Sequence, residues 1–332
     1  MRIFLTGGSG VIGWLLVPAL VAAGHEVTAI SRRQDAADGL AAQGAQPVIG
    51  DVLDVDRLTD LVVAARPDAV IQHLTSLPQD LNPADTKAAF ARNDRIRSHG
   101  AGNLLAAAKA AGARRYLAQN VCFLYAAAGP SVVGEDAPLA TDMSEPYGPS
   151  IRAHAAMEQR IIESSDLEGL VLRFGFWYGP GTTFAAGGYT ARQVRRRRYP
   201  VIGDGAGVFS FVHVHDVVGA TIAALAQGAP GVYNVCDDDP APAREWIPAY
   251  ARAIGAPAPR HVPVWLARLL AGPYVVTQAT QMRGASNHKA KEQLGWTPKY
   301  DFAYVLKCLS ANQDFRSSLA REVGSKGYHD RT

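Results

Sequence analysis

The most informative stretch of this chain for its fold is Thr6-Gly7-Gly8-Ser9-Gly10-Val11-Ile12-Gly13. It follows an apolar run, residues 3–5, and opens an apolar helix. A strand, a glycine turn and a helix in this order form a phosphate site, because Gly7 permits a tight turn and Gly10 lets the backbone approach a pyrophosphate. Gly13 lets the helix pack closely on the strand, and the helix N-terminus directs free N–H groups at the anion. The stretch predicts nucleotide binding, with an ordinary glycine-rich turn as the alternative.

The composition is that of a globular protein with a nearly neutral charge balance. The 332 residues are 48% hydrophobic, enough for one large domain or two domains of ordinary size. Thirty-three Lys and Arg residues against 30 Asp and Glu residues leave a formal charge of +3, which predicts neither a nucleic-acid partner nor a membrane partner.

Cysteine usage and hydropathy predict a cytoplasmic location. The three cysteines, Cys122, Cys236 and Cys308, are far apart and lack metal-ligand spacing, so we expect neither a disulfide framework nor a zinc site. No uninterrupted apolar run reaches the roughly 18 residues that a membrane span needs.

Short apolar runs alternate with Ala-rich helical stretches as far as residue 175, a pattern typical of a parallel sheet with helices on both faces. This alternation predicts an α/β, doubly wound fold with right-handed crossovers. The predicted strands are residues 3–6, 26–31, 46–49, 69–74, 116–120 and 170–174. Residues 84–112 are predicted to form one long helix that flanks the sheet and offers a surface for a homodimer. A surface helix with a frayed end is predicted after Asp314.

The ends of the second and third predicted strands carry polar residues that suit a dinucleotide. Ser31, Arg32 and Arg33 stand where an NAD-specific enzyme usually has Asp or Glu, and arginines would instead pair with a 2′-phosphate. The pattern therefore favours NADP(H) over NAD(H), with exposed loop arginines as the alternative. Asp51, which precedes Val52, suits the exocyclic amine of adenine; its alternative role is to cap the helix that starts near residue 54.

Motifs along almost the whole chain resemble the extended short-chain dehydrogenase/reductase family, in its NAD-dependent epimerase/dehydratase branch. The resemblance implies a Rossmann-type domain, residues 1–175, and a smaller C-terminal domain, residues 176–332, that is mainly substrate-binding and returns some segments to the sheet. The motifs are Thr6-Gly7-x-x-Gly10-x-x-Gly13, Gly50-Asp51, Gly102-Asn103-Leu104-Leu105, Tyr178-Gly179-Pro180-Gly181, Gly203-Asp204-Gly205, Phe211-Val212-His213-Val214-His215-Asp216-Val217, Tyr233-Asn234-Val235 and Leu294-Gly295-Trp296-Thr297-Pro298.

The resemblance and the strand ends together define the predicted cofactor site. Its residues are Thr6, Gly7, Gly10, Val11, Ile12, Gly13, Ser31, Arg32, Arg33, Asp51, Val52, Leu74, Thr75 and Tyr147.

The active-site pattern of that family is only partly met. Members usually carry Ser or Thr after the fifth strand and then Tyr-x-x-x-Lys, in which the tyrosine is the general acid/base and the lysine lowers its pKa. Tyr147 matches the tyrosine, but Ile151 stands at the lysine position and Asn120 or Val121 at the serine position. Arg97 stands where the family often has asparagine.

These departures change the predicted chemistry. Without the lysine, Tyr147 keeps a phenol pKa near about 10, so it acts as a proton donor and favours reduction over oxidation. His154 shares a helix face with Tyr147 and is either a stand-in for the lysine or a packed helix residue. Asn120 either donates its amide to a carbonyl oxygen or has a structural role.

After residue 175 the chain changes to glycine-rich loops typical of a substrate lid. Aromatic residues there either line an apolar pocket or pack the small domain: Phe176, Trp177, Phe184, Tyr189 and Trp246. Val208-Phe209-Ser210 stands where nucleotide-sugar enzymes have a diphosphate-binding arginine, which disfavours such a substrate.

Two charged clusters complete the C-terminal half. The cluster Arg195, Arg196, Arg197 and Arg198 is read as a solvated helix end or, alternatively, as an anion site. Asp237-Asp238-Asp239-Pro240 is predicted to be a helix-capping loop, and we expect no metal.

The sequence therefore predicts NADPH-dependent reduction of a carbonyl group on a small, fairly apolar, non-nucleotide substrate, with Tyr147, Asn120 and His154 as the catalytic residues. Two alternatives stay open. One is an epimerase or dehydratase with a tightly bound, recycled cofactor, and the other is a non-redox protein that binds or senses NADP(H).

Overall fold

The computed structural model describes residues 1–78, 80, 86–145 and 147–310. The helix predicted after Asp314 lies outside the described residues. The helices are α1 Val11–Ala22, α2 Gln34–Ala42, α3 Val55–Ala65, α4 Thr86–Arg95, α5 Ala101–Ala110, α6 Gly148–Ile162, α7 Tyr189–Arg195, α8 Val214–Ala226, α9 Ala243–Ala253, α10 Val264–Gln281, α11 His288–Leu294 and α12 Phe302–Ser310.

The strands follow the same order along the chain. They are β1 Arg2–Thr6, β2 Glu26–Ser31, β3 Gln46–Ile49, β4 Ala69–Gln72, β5 Arg115–Val121, β6 Val132–Val133, β7 Glu168–Phe174, β8 Phe176–Tyr178, β9 Val201–Ile202, β10 Val208–Phe209, β11 Phe211–His213, β12 Gly231–Val235, β13 Ala241–Pro242, β14 His261–Val262 and β15 Gly284–Ala285.

Seven of these strands form one parallel sheet in the order β12-β7-β5-β4-β1-β2-β3. This confirms the doubly wound α/β fold. The strand order changes direction between β1 and β4, and the crevice outside the carboxyl ends of the strands at such a switch point is where ligands bind in this architecture. The glycine turn therefore opens onto the expected ligand crevice.

Successive side chains of the central strands point to opposite faces of the sheet. Alternate residues therefore belong to two separate hydrophobic cores, one on each face. Leu5 and Leu172 pack on the side that holds α1 and α8. Phe4 and Val171 pack on the side that holds α3, α5 and α6. Because both faces are covered, the strands are apolar nearly throughout, which is why the sequence identified them.

The seventh strand, β12, was not among the six predicted strands, although the C-terminal half was expected to return some segments to the sheet. It lies beside β7 in register, with Val232 opposite Val171. Its apolar pattern is interrupted by Asn234, which is fully buried. The Asn234 amide oxygen accepts a hydrogen bond from the Tyr125 hydroxyl at 2.7 Å, and this bond offsets the cost of burying the amide.

The predicted helix over residues 84–112 is helical throughout residues 86–110 but contains one irregular turn. Helices α4 and α5 are separated by the π-helical turn Ile96–Gly100. The prediction of one long helix is therefore confirmed over residues 86–110, with a π-helical turn inside it. Such single turns are frequent at functional sites because the extra residue redirects a side chain. Here the turn carries Arg97, which is buried.

Candidate active site

The glycine turn has the geometry of a phosphate cradle. Gly7 has φ +78°, and a Cβ there would lie 2.0 Å from the carbonyl oxygen of His73. A Cβ on Gly13 would lie 2.2 Å from the carbonyl oxygen of Gly7, so neither position admits a side chain. Gly10 caps α1 without a side-chain acceptor, which leaves the first N–H groups of the helix, at Val11 and Ile12, for an anion.

The residues beside this turn hold the strands together. Thr6 is fully buried and its hydroxyl donates to the carbonyl oxygen of Ile71 at 3.3 Å, joining β1 to β4. Thr75, two residues beyond His73, donates from its hydroxyl to the amide oxygen of Asn93 at 3.2 Å. Leu74 is half-buried between them. These contacts fix the floor of the crevice.

The loop after β2 presents one arginine that is paired and one that is not. The Arg33 guanidinium lies 3.0 Å from Asp35. Arg32 is exposed, and no side chain in the described part of the chain pairs with it. Ser31 is mostly buried, and its hydroxyl accepts from the backbone N–H of Arg33 at 3.2 Å. A 2′-phosphate would therefore meet Arg32 as the available cation.

The Asp51 carboxylate does not cap a helix. Its Oδ1 accepts from the backbone N–H of Leu53 at 3.0 Å, which shapes the loop after β3. The cap of α3 is Asp54, whose side chain accepts from the backbone N–H of Arg57 at 3.2 Å. The capping alternative for Asp51 was therefore wrong, and the adenine contact stays a prediction. Val52 is buried at the same loop.

Helix α6 presents one stripe of residues to the sheet. Tyr147 is its N-cap, and Ile151, His154 and Glu158 follow at positions i+4, i+7 and i+11 from Tyr147. Residues at this spacing share one face of a helix. Ile151, His154 and Glu158 are all buried.

The stripe ends in a buried network at the carboxyl end of β5. Asn120 is fully buried, and its amide nitrogen donates to Oε1 of Glu158 at 2.6 Å. Arg173 of β7 pairs bidentately with the same carboxylate, at 2.7 Å from Nε and 2.6 Å from Nη2. Arg173 also donates to the Tyr125 hydroxyl at 2.8 Å. Because the Asn120 amide is held inside this network, we regard Asn120 as a positioning residue.

The same network fixes the tautomer of His154. The backbone N–H of Val121 donates to the Asn120 side-chain oxygen at 2.9 Å, which assigns that atom as an acceptor. His154 Nδ1 lies within hydrogen-bond distance of this oxygen and must therefore carry the proton. Burial, together with the charge of Arg97, lowers the pKa of His154 well below its ordinary value. A neutral His154 does not supply the positive charge of a lysine.

Tyr147 lies between two aromatic rings. Its ring stacks on Tyr274 of α10 with centroids 3.8 Å apart, and Phe90 of α4 meets it edge-on at 5.4 Å. No side chain in the described segments hydrogen-bonds to the Tyr147 hydroxyl. Burial raises the pKa of Tyr147 above its ordinary value. The phenol therefore stays protonated at neutral pH, and its role as a proton donor stays a prediction.

Ile151 extends the apolar character of this region. It is 3% exposed and packs in a cluster with Leu124 and Ala140. A lysine at this depth would need a partner for its charge. The surroundings of Tyr147 are therefore apolar and aromatic.

These residues fit a bound dinucleotide. Any Cβ at Gly7 or Gly13 would fill the turn, and the N-terminus of α1 has no side-chain acceptor. Arg32 follows directly after β2. The fit concerns the phosphate and ribose groups; the carbonyl chemistry of the family is not matched at Ile151.

The family model of the NAD dependent epimerase/dehydratase family matches residues 3–236. The chain belongs to this family. Membership and the reductases among its relatives support an NAD(P)-dependent enzyme of the oxidoreductase type, with the Rossmann fold described above. The resemblance to the extended short-chain dehydrogenases is confirmed.

Two reductases illustrate the relationship. A 3-diazoavenalumate denitrifying reductase from Streptomyces sp is 46% identical over 301 residues, which cover 90% of this chain and 97% of that protein. A 2-alkyl-3-oxoalkanoate reductase from Stenotrophomonas maltophilia (strain K279a) is 26% identical over 271 residues, or 77% of each chain.

Solved structures agree on the fold. A UDP-glucose 4-epimerase from Thermotoga maritima superposes with a TM-score of 0.73, at 22% identity, over 96% of this chain and 100% of that chain. A dTDP-glucose 4,6-dehydratase from Streptomyces venezuelae gives a TM-score of 0.72, at 21% identity, over 97% and 98%.

The aromatic residues of the C-terminal half mainly form a core. Phe184, Trp246 and Tyr250 are buried together around Phe211, and Phe209 belongs to the same cluster. Packing thus accounts for Phe184 and Trp246, which the sequence had left open.

The arginine cluster lies at the end of α7. Arg195 donates to the carbonyl oxygen of Ala186 at 2.6 Å, and Arg196, Arg197 and Arg198 are exposed, as expected for a solvated helix end. None of the helices in the described part of the chain combines the length and apolar character that crossing a membrane requires.

The three aspartates after β12 do not cap α9, whose cap is Pro242 without a side-chain bond. Asp238 instead accepts hydrogen bonds from Asn287 at 2.7 Å and from Lys291 at 2.5 Å. The loop is thus held by α11, far along the chain. Asp237 also accepts a hydrogen bond from the backbone N–H of Phe302, the first residue of α12, so the helix-capping prediction holds for α12 and not for α9.

Sequence reasoning missed Glu158, Arg173 as its partner, and Tyr274. The signal for Glu158 was its spacing from Tyr147 along α6. Tyr274 had no local signal, because its contact joins helices 127 residues apart in sequence, from 147 to 274.

Proposed function

We propose that this protein is an NADPH-dependent reductase that acts on a diazo group of a small, fairly apolar, non-nucleotide substrate. The observation that carries the proposal is the apolar, lysine-free surrounding of Tyr147, formed by Ile151, Phe90 and Tyr274. It is supported by 46% identity to a reductase whose name states a diazo substrate and loss of nitrogen.

The reaction class suits a site without a base. Reduced nicotinamide supplies a hydride when bound. The proposed reacting form is the aryl diazonium, Ar–N2+, whose carbon takes the hydride as the C–N bond breaks, which gives Ar–H and N2 and balances without a proton. The residues need only bind, orient and exclude water. The ring of Tyr274 stacked on Tyr147 supplies a flat apolar surface for such a substrate.

Carbonyl reduction is the second candidate, favoured by Tyr147 itself. Its hydroxyl has no partner in the described segments and a raised pKa, so it can donate a proton to an alkoxide. Asn120 and His154 then act as positioning residues behind it. Relatives include a 2-alkyl-3-oxoalkanoate reductase, at lower identity.

The cofactor preference is part of the proposal. Arg32 is exposed and unpaired in the described chain, whereas Arg33 is paired with Asp35. We therefore assign recognition of a 2′-phosphate mainly to Arg32. Asp51 is proposed to accept from adenine, and α1 to face the pyrophosphate.

The test is to incubate the protein with 3-diazoavenalumate and NADPH deuterated at C4, without oxygen. One N2 released and one deuterium placed on the former diazo carbon per NADPH oxidised supports the proposal. Oxidation of NADPH by a panel of small ketones, with no N2 from the diazo compound, would support carbonyl reduction instead. A tightly bound NAD that is never exchanged would favour an epimerase.

A further inference from the structure

Arg97 is a buried cation with very few partners. It is 2% exposed on the π-helical turn Ile96–Gly100. Its Nη1 donates to the carbonyl oxygen of Gln119 and lies 4.0 Å from Sδ of Met157. Nε is buried and has no acceptor in the described part of the chain, and no side chain there pairs with Nη2.

Two carboxylates, Asp94 and Glu158, stabilise the charge of Arg97 at longer range but form their hydrogen bonds with other groups. Asp94 accepts from the Ser150 hydroxyl at 2.6 Å, and Glu158 is held by Arg173 and Asn120. Burial lowers the pKa of Arg97 to about 10, so the group stays charged at neutral pH. A buried guanidinium with only one strong acceptor destabilises the ligand-free fold. Such an arrangement is expected where a bound ligand supplies the missing acceptors.

The free edge of Arg97 has a defined shape. Nε and Nη2 form a planar fork of parallel donors, which matches two oxygen atoms of one ligand. An apolar substrate group would leave this fork unsatisfied. The complementary ligand is therefore rich in oxygen.

The position of Arg97 indicates which ligand. Gln119 lies in β5, β5 pairs with β4, and β4 pairs with β1, whose glycine turn approaches the carbonyl oxygen of His73. The loops after β2 and β3, with Arg32 and Asp51, lie on the opposite side of that turn. In this architecture a dinucleotide spans the two sides of the switch point. Arg97 therefore belongs to the half that carries the nicotinamide.

We propose that Arg97 binds oxygen atoms of the nicotinamide-side nucleotide and so provides, from the π-helical turn, a cation that Ile151 does not provide from α6. The inference rests on dinucleotide binding and holds for either reduction described above. It also explains the π-helical turn, since the extra residue places Arg97 between β5 and α6.

The test measures binding without turnover. Dissociation constants of NADPH and of adenosine 2′,5′-bisphosphate, which lacks the nicotinamide half, are measured for the wild type, Arg97→Met, Arg97→Lys and the control Arg95→Met. Arg95 is an exposed arginine two residues earlier. We expect Arg97→Met to weaken NADPH at least tenfold and to leave adenosine 2′,5′-bisphosphate within twofold. Arg97→Lys should recover part of the loss, and Arg95→Met should change neither.

Equal weakening of both probes by Arg97→Met, together with a lower melting temperature of the apo protein, would overturn the proposal in favour of a purely structural residue. Unchanged NADPH binding would also overturn it. Failure of the diazo reaction with normal discrimination between the two probes would count against the proposed function alone.

Discussion

Arg32 and Arg33 are neighbours in sequence, but in the described part of the chain only Arg33 forms an ion pair. Arg33 has its charge compensated by Asp35 at 3.0 Å, while Arg32 extends into solvent at the carboxyl end of β2. An exposed arginine without an ion pair can bind a phosphate at a small free-energy cost, because no existing ion pair has to break. The proposed preference for NADPH thus depends mainly on one exposed residue, which can be replaced without removing a buried contact.

Arg32→Ala should weaken NADPH about tenfold, or about 1.4 kcal/mol, because one charge-assisted contact to the 2′-phosphate is lost. NADH, which lacks that phosphate, should bind the variant and the wild type equally. Fluorescence titration with both cofactors measures this, with the exposed Arg252→Ala on α9 as control. Equal weakening of NADPH and NADH would contradict the assignment.

At the scale of elements, helix α6 and strand β5 show what a sequence discloses and what it does not. The glycine turn and the buried parallel strands are local patterns, so residues 3–6, 26–31 and 46–49 were predicted nearly to the residue. The stripe from Tyr147 to Glu158 is also periodic. Its meaning is not local, because Asn120 and Arg173 reach Glu158 from β5 and β7.

Roles at the site therefore depended on tertiary contacts. Asn120 could be placed after the fifth strand, but only the fold shows its amide donating to Glu158. His154 was placed on the correct helix face, yet its neutrality follows from burial and from Arg97, which comes from another helix. A strand such as β12, with Asn234 in its centre, is recognised only once Tyr125 is known to satisfy that amide.

At the scale of the whole molecule, buried histidines link stability to pH. Burial lowers the pKa of His73 and of His213 to about 3, and lowers that of His154 as well. Below the unfolded pKa of about 6.5 the unfolded chain binds protons that the folded chain does not, so stability is lost as the pH falls. Asp237 acts in the opposite sense, because burial raises its pKa to about 8 and its contribution is lost as the pH rises.

The substitution His73→Gln removes the contribution of one of these histidines to the pH dependence of stability. Between pH 6.5 and 5.0 the variant should lose about 1.5 to 2 kcal/mol less unfolding free energy than the wild type, since it no longer has a histidine to protonate on unfolding. Urea unfolding at several pH values gives the comparison, with the exposed His261→Gln as control. Parallel curves for wild type and His73→Gln would show that His73 binds a proton as readily in the folded as in the unfolded state, against the lowered pKa.

Hydride transfer to an aryl diazonium should need no proton from Tyr147, and the substitution Tyr147→Phe distinguishes this reaction from ketone reduction. The variant removes one hydroxyl and keeps the ring stacked on Tyr274. We predict that kcat for N2 release from 3-diazoavenalumate stays within about twofold of the wild type, while any ketone reduction falls by about 10² or more, as expected for loss of a general acid. A fall of that size in N2 release as well would contradict the account and make Tyr147 an acid in the diazo reaction.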